Sequence, residues 1–70
     1  SYYVIKGFKK GDLIEHIFDG RIGILIAIRP LDMLTDNVGN LYHTDIFDAY
    51  VILSKDGPTW VPLEHLKKLS

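Results

Sequence analysis

The sequence predicts an all-β fold with one domain over residues 1–70. Gly residues and Asp-Gly pairs interrupt the chain at short intervals, and β-branched runs of strand length lie between them. This is the pattern of a domain built from short antiparallel strands. Helical spacing of apolar residues occurs in Leu63 to Leu69, a stretch too short to be stable as an isolated helix. Because the 70 residues include no cysteine, apolar packing alone must hold this small chain together.

The first half of the chain contains two predicted strands. Leu13 to Phe18 is the first, and the tight-turn pair Asp19-Gly20 separates it from the second, Arg21 to Ile28. Alternation along the second strand gives two apolar faces, Ile24, Ile26 and Ile28 on one and Gly23, Leu25 and Ala27 on the other. We therefore expect this strand to be central, with a bend or a close backbone approach at Gly23.

The middle of the chain has the weakest pattern. Asp32 to Asn40 predicts a long loop, and Leu41 to Phe47 predicts a short extended piece that crosses it. Asp48 to Ser54 is the third predicted strand, since it contains the β-prone run Tyr50 to Leu53. Functional residues are expected in the middle segment, because loops held by a rigid scaffold often carry binding groups.

The last third of the chain indicates how the fold ends. Asp56-Gly57 predicts a turn into a fourth strand, Thr59 to Val61, and the adjacent Pro58 and Pro62 make that strand short or place it at a sheet edge. One 3₁₀ turn begins after Pro62, and the chain closes with Lys67-Lys68-Leu69 as a fifth strand. This order predicts a small SH3-like five-stranded barrel with one 3₁₀ turn before the last strand, a fold that serves as a platform for binding.

Two blocks of the sequence resemble a known group of proteins. The first is Lys10-Gly11-Asp12-Leu13-Ile14 with Gly20 to Leu25, and the second is Tyr50 to Leu53 with Trp60-Val61-Pro62 and Leu66. Together they resemble short SH3-like barrel proteins of tailed phages, notably marine ones. The resemblance implies a small structural or accessory protein that works in the virion or in the host cytoplasm.

The first block is also similar to the KOW and CarD-type barrels of transcription proteins. Those barrels share a Gly-Asp opening and a later glycine before a β-branched strand, which Gly11-Asp12 and Gly23 match. In such barrels the later glycine permits a bulge, and Gly23 could serve in the same way. This likeness implies association with nucleic acid, but the chain lacks the basic residues that flank the KOW core.

Charge and motif content argue against several classes of function. The net charge of −1 shows no basic excess of the kind that dedicated nucleic-acid binders carry, and no apolar run reaches membrane-spanning length. His16, His43 and His65 are widely separated, and the glycines lack phosphate-loop spacing. We expect no metal, no cofactor and no catalytic activity.

Two sets of residues are candidates for contacts with a partner. The aromatic residues that we expect to contact protein are Tyr2, Tyr3, Tyr42, Phe47 and Trp60. The lysines that could contact an acidic partner or nucleic acid are Lys6, Lys9, Lys10, Lys67 and Lys68. In a barrel the first and last segments meet, so these lysines would form a basic pole. The acidic pole would comprise Asp32, Asp36, Asp45, Asp48 and Asp56.

Three functional hypotheses follow from these features. The first is a non-enzymatic module for protein–protein contact, with another protein or copies of itself as the partner and heterologous, head-to-tail packing between copies. The second is a nucleic-acid-associated regulator that acts through the lysines. The third is an inhibitor of a host enzyme, with the acidic segment as a mimic of a polyanion. No membrane association is expected.

Overall fold

Strands dominate the structure, which is a computed structural model that describes residues 4–31, 33–35, 37–43 and 45–70, with the backbone alone for 33–35 and 41–43. The elements in chain order are β1 (Leu13–His16), β2 (Ile22–Pro30), β3 (Met33–Thr35), β4 (Leu41–His43), β5 (Phe47–Leu53), β6 (Thr59–Pro62), a 3₁₀ turn (Leu63–His65) and β7 (Leu66–Lys68). No α-helix occurs among the described residues. In the same part of the chain, no helix is long and apolar enough to cross a membrane.

Five of the strands form one antiparallel sheet in the order β6-β5-β2-β1-β7, and β3 pairs with β4 in a separate two-stranded sheet. The predicted all-β class is confirmed, as is the single 3₁₀ turn before the last strand. Strands β6 and β7 lie at opposite edges of the five-stranded sheet, so the sheet is open across the residues that the structure describes. Strand β1 pairs with both β2 and β7, which brings the last strand beside the first.

Strand β2 lies at the centre of the sheet, as its two apolar faces predicted. Gly23 pairs with Leu53 of β5 and Ile14 of β1. A Cβ atom added at Gly23 would lie 1.9 Å from the carbonyl oxygen of Ile52. The close backbone approach expected at this glycine is therefore present, and it explains why a side chain is absent there.

The predicted faces of β2 are wrong beyond its midpoint, because the strand contains a bulge. Its register with β5 shifts between Leu25 and Ala27, so that Ile26 is the extra residue. A bulge reverses the alternation of side chains that follow it. Leu25 and Ile28 therefore both face the core, although one is odd-numbered and the other even, and Ala27 is exposed. The KOW likeness placed a bulge at Gly23. The bulge lies instead at Ile26, three residues later.

The long loop predicted over Asp32 to Asn40 is replaced in part by the β3–β4 hairpin. Met33 pairs with His43 and Thr35 with Leu41. Asp32 and Asp36, two members of the predicted acidic pole, lie outside the described residues. Each strand of the hairpin has only three residues, too few for alternation to stand out in a sequence.

The core lies on one side of the five-stranded sheet. Its members are all less than 7% exposed and are Ile14, Leu25, Ala49, Val51, Leu53, Leu63 and Leu66. The 3₁₀ turn contributes Leu63, and its end is capped where the Leu66 N–H donates to the Leu63 carbonyl oxygen. Near the N-terminus, Ile5 and Phe8 form a two-residue bridge and pack against the same core. The opposite side of the sheet is hereafter called the outer face.

Candidate interaction surface

The outer face carries a continuous set of exposed apolar side chains. Cross-strand pairing aligns Ile52 of β5, Ile24 of β2 and Leu13 of β1 in one row. Leu69, directly after β7, extends that row, since its N–H donates to the Leu13 carbonyl oxygen at 2.8 Å. With Ile22 and Trp60, these large apolar residues are each 38–49% exposed. Scattered exposed apolar residues are ordinary, but a row in register across three strands and the residue after a fourth forms a patch.

An aromatic corner lies at the β6 end of the outer face. The Tyr50 and Trp60 rings pair across β5 and β6, with centroids 4.8 Å apart and planes inclined at 41°. The Arg29 guanidinium carbon lies 3.8 Å from the Trp60 ring centroid. Asp48 accepts a hydrogen bond from Arg29 Nη2 at 3.4 Å. The Arg29 guanidinium thus packs against the half-exposed indole in a cation–π contact.

The charges at the two borders of the outer face balance. Arg29 and Asp48 face each other across β2 and β5 at one border. Glu15 and Lys67 face each other across β1 and β7 at the other. Two acids and two bases thus lie at the borders of the apolar row, and these four charges sum to zero.

Phe47, another predicted contact residue, lies on the core side of the sheet. It packs against the core and lines a shallow cleft of about 80 Å³ with Phe8, Ile46 and Leu63. Lys6 Nζ lies 5.6 Å from the Phe47 ring centroid. The structure therefore does not bring Phe47 together with Trp60, because the two lie on opposite sides of the sheet.

The remaining predicted aromatic contacts are not located by the structure. Tyr2 and Tyr3 lie outside the described residues. Tyr42 belongs to β4, where the backbone alone is described. Trp60 is therefore the one predicted aromatic contact whose side chain the structure places on the outer face.

Two of the predicted lysines converge on a buried carboxylate. Asp12 is 1% exposed and accepts hydrogen bonds from the Lys9 N–H at 2.9 Å and from Lys9 Nζ at 2.5 Å. Lys68 Nζ lies 3.5 Å from Asp12 Oδ2 and donates to the Gly7 carbonyl oxygen at 3.1 Å. The Lys9 ammonium hydrogen bond lowers the pKa of Asp12 against the opposing effect of burial, and Lys68 lowers it further. This cluster ties the N-terminal turn to the last strand.

The separation into a basic and an acidic pole is not seen in the described residues. Lys6 Nζ lies 3.0 Å from Asp45 Oδ2 and also donates to the Asp45 carbonyl oxygen, so a member of each predicted pole is in contact. Asp56 pairs with Arg21, which also binds Asp19. Lys10 and Lys67 are exposed. Three of the five predicted lysines, Lys6, Lys9 and Lys68, are thus engaged with carboxylates of the same chain.

Two of the histidines approach each other where β1 ends and the 3₁₀ turn ends. The His16 and His65 ring centroids are 6.0 Å apart, and the exposed Phe18 ring lies 4.7 Å from that of His65. The His43 side chain is outside the described set. Among the side chains that are described, no three His, Cys, Asp or Glu residues are grouped as a metal site would require.

Sequence reasoning missed most of the outer face. Leu13, Ile24 and Ile52 were predicted strand residues, but nothing marked them as exposed. The available signal was the apolar character of β2 on both faces, which is consistent with a core face and with a second contact face. Comparisons of the chain with protein-family models, with curated proteins and with solved structures find no match.

Proposed function

We propose that this chain is a non-enzymatic protein–protein interaction module, and that the outer face is its contact surface. The observation that carries the proposal is the row of exposed apolar residues in register across β1, β2 and β5, which Leu69 extends and which lies next to the half-exposed Trp60. Large exposed apolar patches with polar borders mark interaction sites. Tryptophan is also enriched among the residues that dominate binding energy.

The finer fold is part of the same proposal. A first strand that pairs with the second and last strands, and a 3₁₀ turn directly before the last strand, support an SH3-like barrel. The barrel would close as β6 and β7 curl towards each other. On the resemblance of the first and last blocks of sequence, the module would serve as a small structural or accessory component of a tailed phage.

The alternative role in nucleic-acid association has less support. Binding to phosphates requires ammonium groups that can replace counterions. Lys6, Lys9 and Lys68 are instead paired with carboxylates of their own chain. Breaking these pairs would subtract from the affinity that each phosphate contact supplies.

A capture experiment with matched aromatic variants tests the proposal. The tagged chain is immobilised and exposed to lysate of phage-infected host cells, and bound proteins are quantified. Trp60→Ala should reduce capture of the main partner by at least about thirtyfold, as expected for a residue that dominates binding. Phe18→Ala, which removes an exposed aromatic ring from the turn after β1, should bind as the natural chain does. Equal capture by Trp60→Ala and the natural chain would refute the assignment of the outer face.

A further inference from the structure

We propose that the occupant of the outer face is a second copy of this chain, packed sheet against sheet about a two-fold axis. This inference rests on the proposed function of the outer face and names its partner. A two-fold dimer uses the same patch on both copies, so the patch must be self-complementary in shape, area and charge.

The shape of the apolar patch suits the packing of two sheets. One row consists of Leu13, Ile24 and Ile52 on three strands and of Leu69 directly after β7, and Tyr50 and Trp60 begin the next row. Face-to-face sheets pack about 10 Å apart with their inner side chains interdigitated. A row of branched aliphatic side chains on each copy supplies the ridges that such packing needs.

The area of the patch is close to what a stable dimer needs. Six large apolar side chains at 38–49% exposure present on the order of 500 Å² of apolar surface, taking a full side chain as about 200 Å². Homodimer interfaces are about 65% apolar, so this patch corresponds to about 750 Å² per copy. Standard interfaces bury about 800 Å² per partner.

The charge of the outer face also suits a second copy. Its two borders each carry one acid and one base, Asp48 with Arg29 and Glu15 with Lys67. Because these four border charges sum to zero, two copies bring them together without net repulsion, whereas a polyanion or an acidic lipid surface gains no net attraction from them.

The two edges of the five-stranded sheet are poorly suited to pairing with a second copy, which favours packing through the outer face over pairing at these edges. Strand β6 ends at Pro62, which has no N–H to donate, and Pro58 precedes the strand. Strand β7 has three residues, two of which are Lys67 and Lys68. Prolines, lysines and short length are the features that prevent pairing at exposed edges.

Sedimentation equilibrium over about 5–500 μM tests the inference with two charge variants. The natural chain should fit a monomer–dimer equilibrium in this range. Ile24→Glu, at the centre of the row, should weaken dimerisation more than about a hundredfold, because a carboxylate would be buried without a partner. Val38→Glu makes the same change in charge at an exposed aliphatic residue of the β3–β4 turn and should leave the equilibrium unchanged.

A cross-linking measurement keeps the test independent of the folding of Ile24→Glu. The chain has no cysteine, so Ile24→Cys and Val38→Cys each introduce one thiol. A short bis-maleimide should join two copies of Ile24→Cys and should leave Val38→Cys monomeric. The inference is overturned if the natural chain is monomeric at every concentration, or if Ile24→Glu dimerises as tightly as Val38→Glu. A monomeric chain whose capture of another protein is lost in Trp60→Ala would overturn this inference and leave the proposed function intact.

Discussion

Gly23 is the point at which the central strand tolerates no side chain, and Gly23→Ala should therefore destabilise the fold strongly. The added Cβ would lie 1.9 Å from the Ile52 carbonyl oxygen and 2.8 Å from the Cα atom of Leu53. Both obstacles belong to the backbone of β5, so rotation of a side chain cannot relieve the clash. Strands β2 and β5 would have to separate by about 1 Å or more, which strains the ladder between them.

The size of this effect is large compared with the stability of so small a domain. Overpacking a well-packed interior costs about 1–3 kcal/mol, and occasionally more. We expect about 3 kcal/mol here, because the clash is with backbone at the centre of the sheet. A domain of this size has about 3–5 kcal/mol of folding free energy in total. Gly23→Ala should therefore be partly unfolded in buffer at 25 °C.

Urea unfolding, followed by Trp60 fluorescence and far-ultraviolet circular dichroism, measures the effect. At a slope of about 1 kcal/mol per molar urea, the midpoint of Gly23→Ala should fall by about 2–3 M. Gly57→Ala is the matched control, since a Cβ there meets no atom within 4 Å. Its midpoint should stay within about 0.5 M of the natural chain or rise slightly. A Gly23→Ala midpoint as high as that of Gly57→Ala would refute the close approach of β2 and β5.

Three further variants and one matched control test the core, the buried carboxylate and the aromatic corner. Leu25→Ala should cost about 2–5 kcal/mol in urea unfolding at low protein concentration, whereas Ile24→Ala, one residue earlier and 43% exposed, should cost less than about 1 kcal/mol. Asp12→Asn should cost about 1–3 kcal/mol at pH 7. A neighbouring ammonium lowers the pKa of Asp12 in the folded state. The stability that this group contributes is therefore present above its unfolded pKa of about 3.9 and is lost as pH falls through the folded value. The deficit of Asp12→Asn should shrink as pH falls below about 4. Arg29→Gln should increase acrylamide quenching of Trp60 while changing the free energy of unfolding by less than about 1 kcal/mol.

The parts of the fold that could be predicted from sequence are those with strong local signals. The C-terminal order of strand, 3₁₀ turn and strand was predictable, because Asp56-Gly57 specifies a turn and Pro62 suits the start of a helical turn. The central position of β2 followed from its two apolar faces. The β3–β4 hairpin was missed because strands of three residues next to Asp, Asn and Gly have the composition of a loop.

The candidate surface was harder to predict, because it depends on register and on the bulge. Alternation with Pro62 placed Trp60 on a shared face, and the structure shows that face to be the outer one. The row formed by Leu13, Ile24 and Ile52 depends on which residues pair across three strands. One extra residue at Ile26 changes which later side chains share that face.

The distribution of charge could not be predicted from spacing along the chain. The lysine–carboxylate pairs that the structure shows weaken the hypothesis of nucleic-acid association. Lys9 and Lys68 are 59 positions apart in number, yet both ammonium groups lie within 3.5 Å of the Asp12 carboxylate. A lysine held there contributes to closing the fold and is less available to a phosphate or an acidic protein. The apolar row of the outer face, by contrast, stays 38–49% exposed. The proposed contact surface therefore rests on this face and not on the lysines.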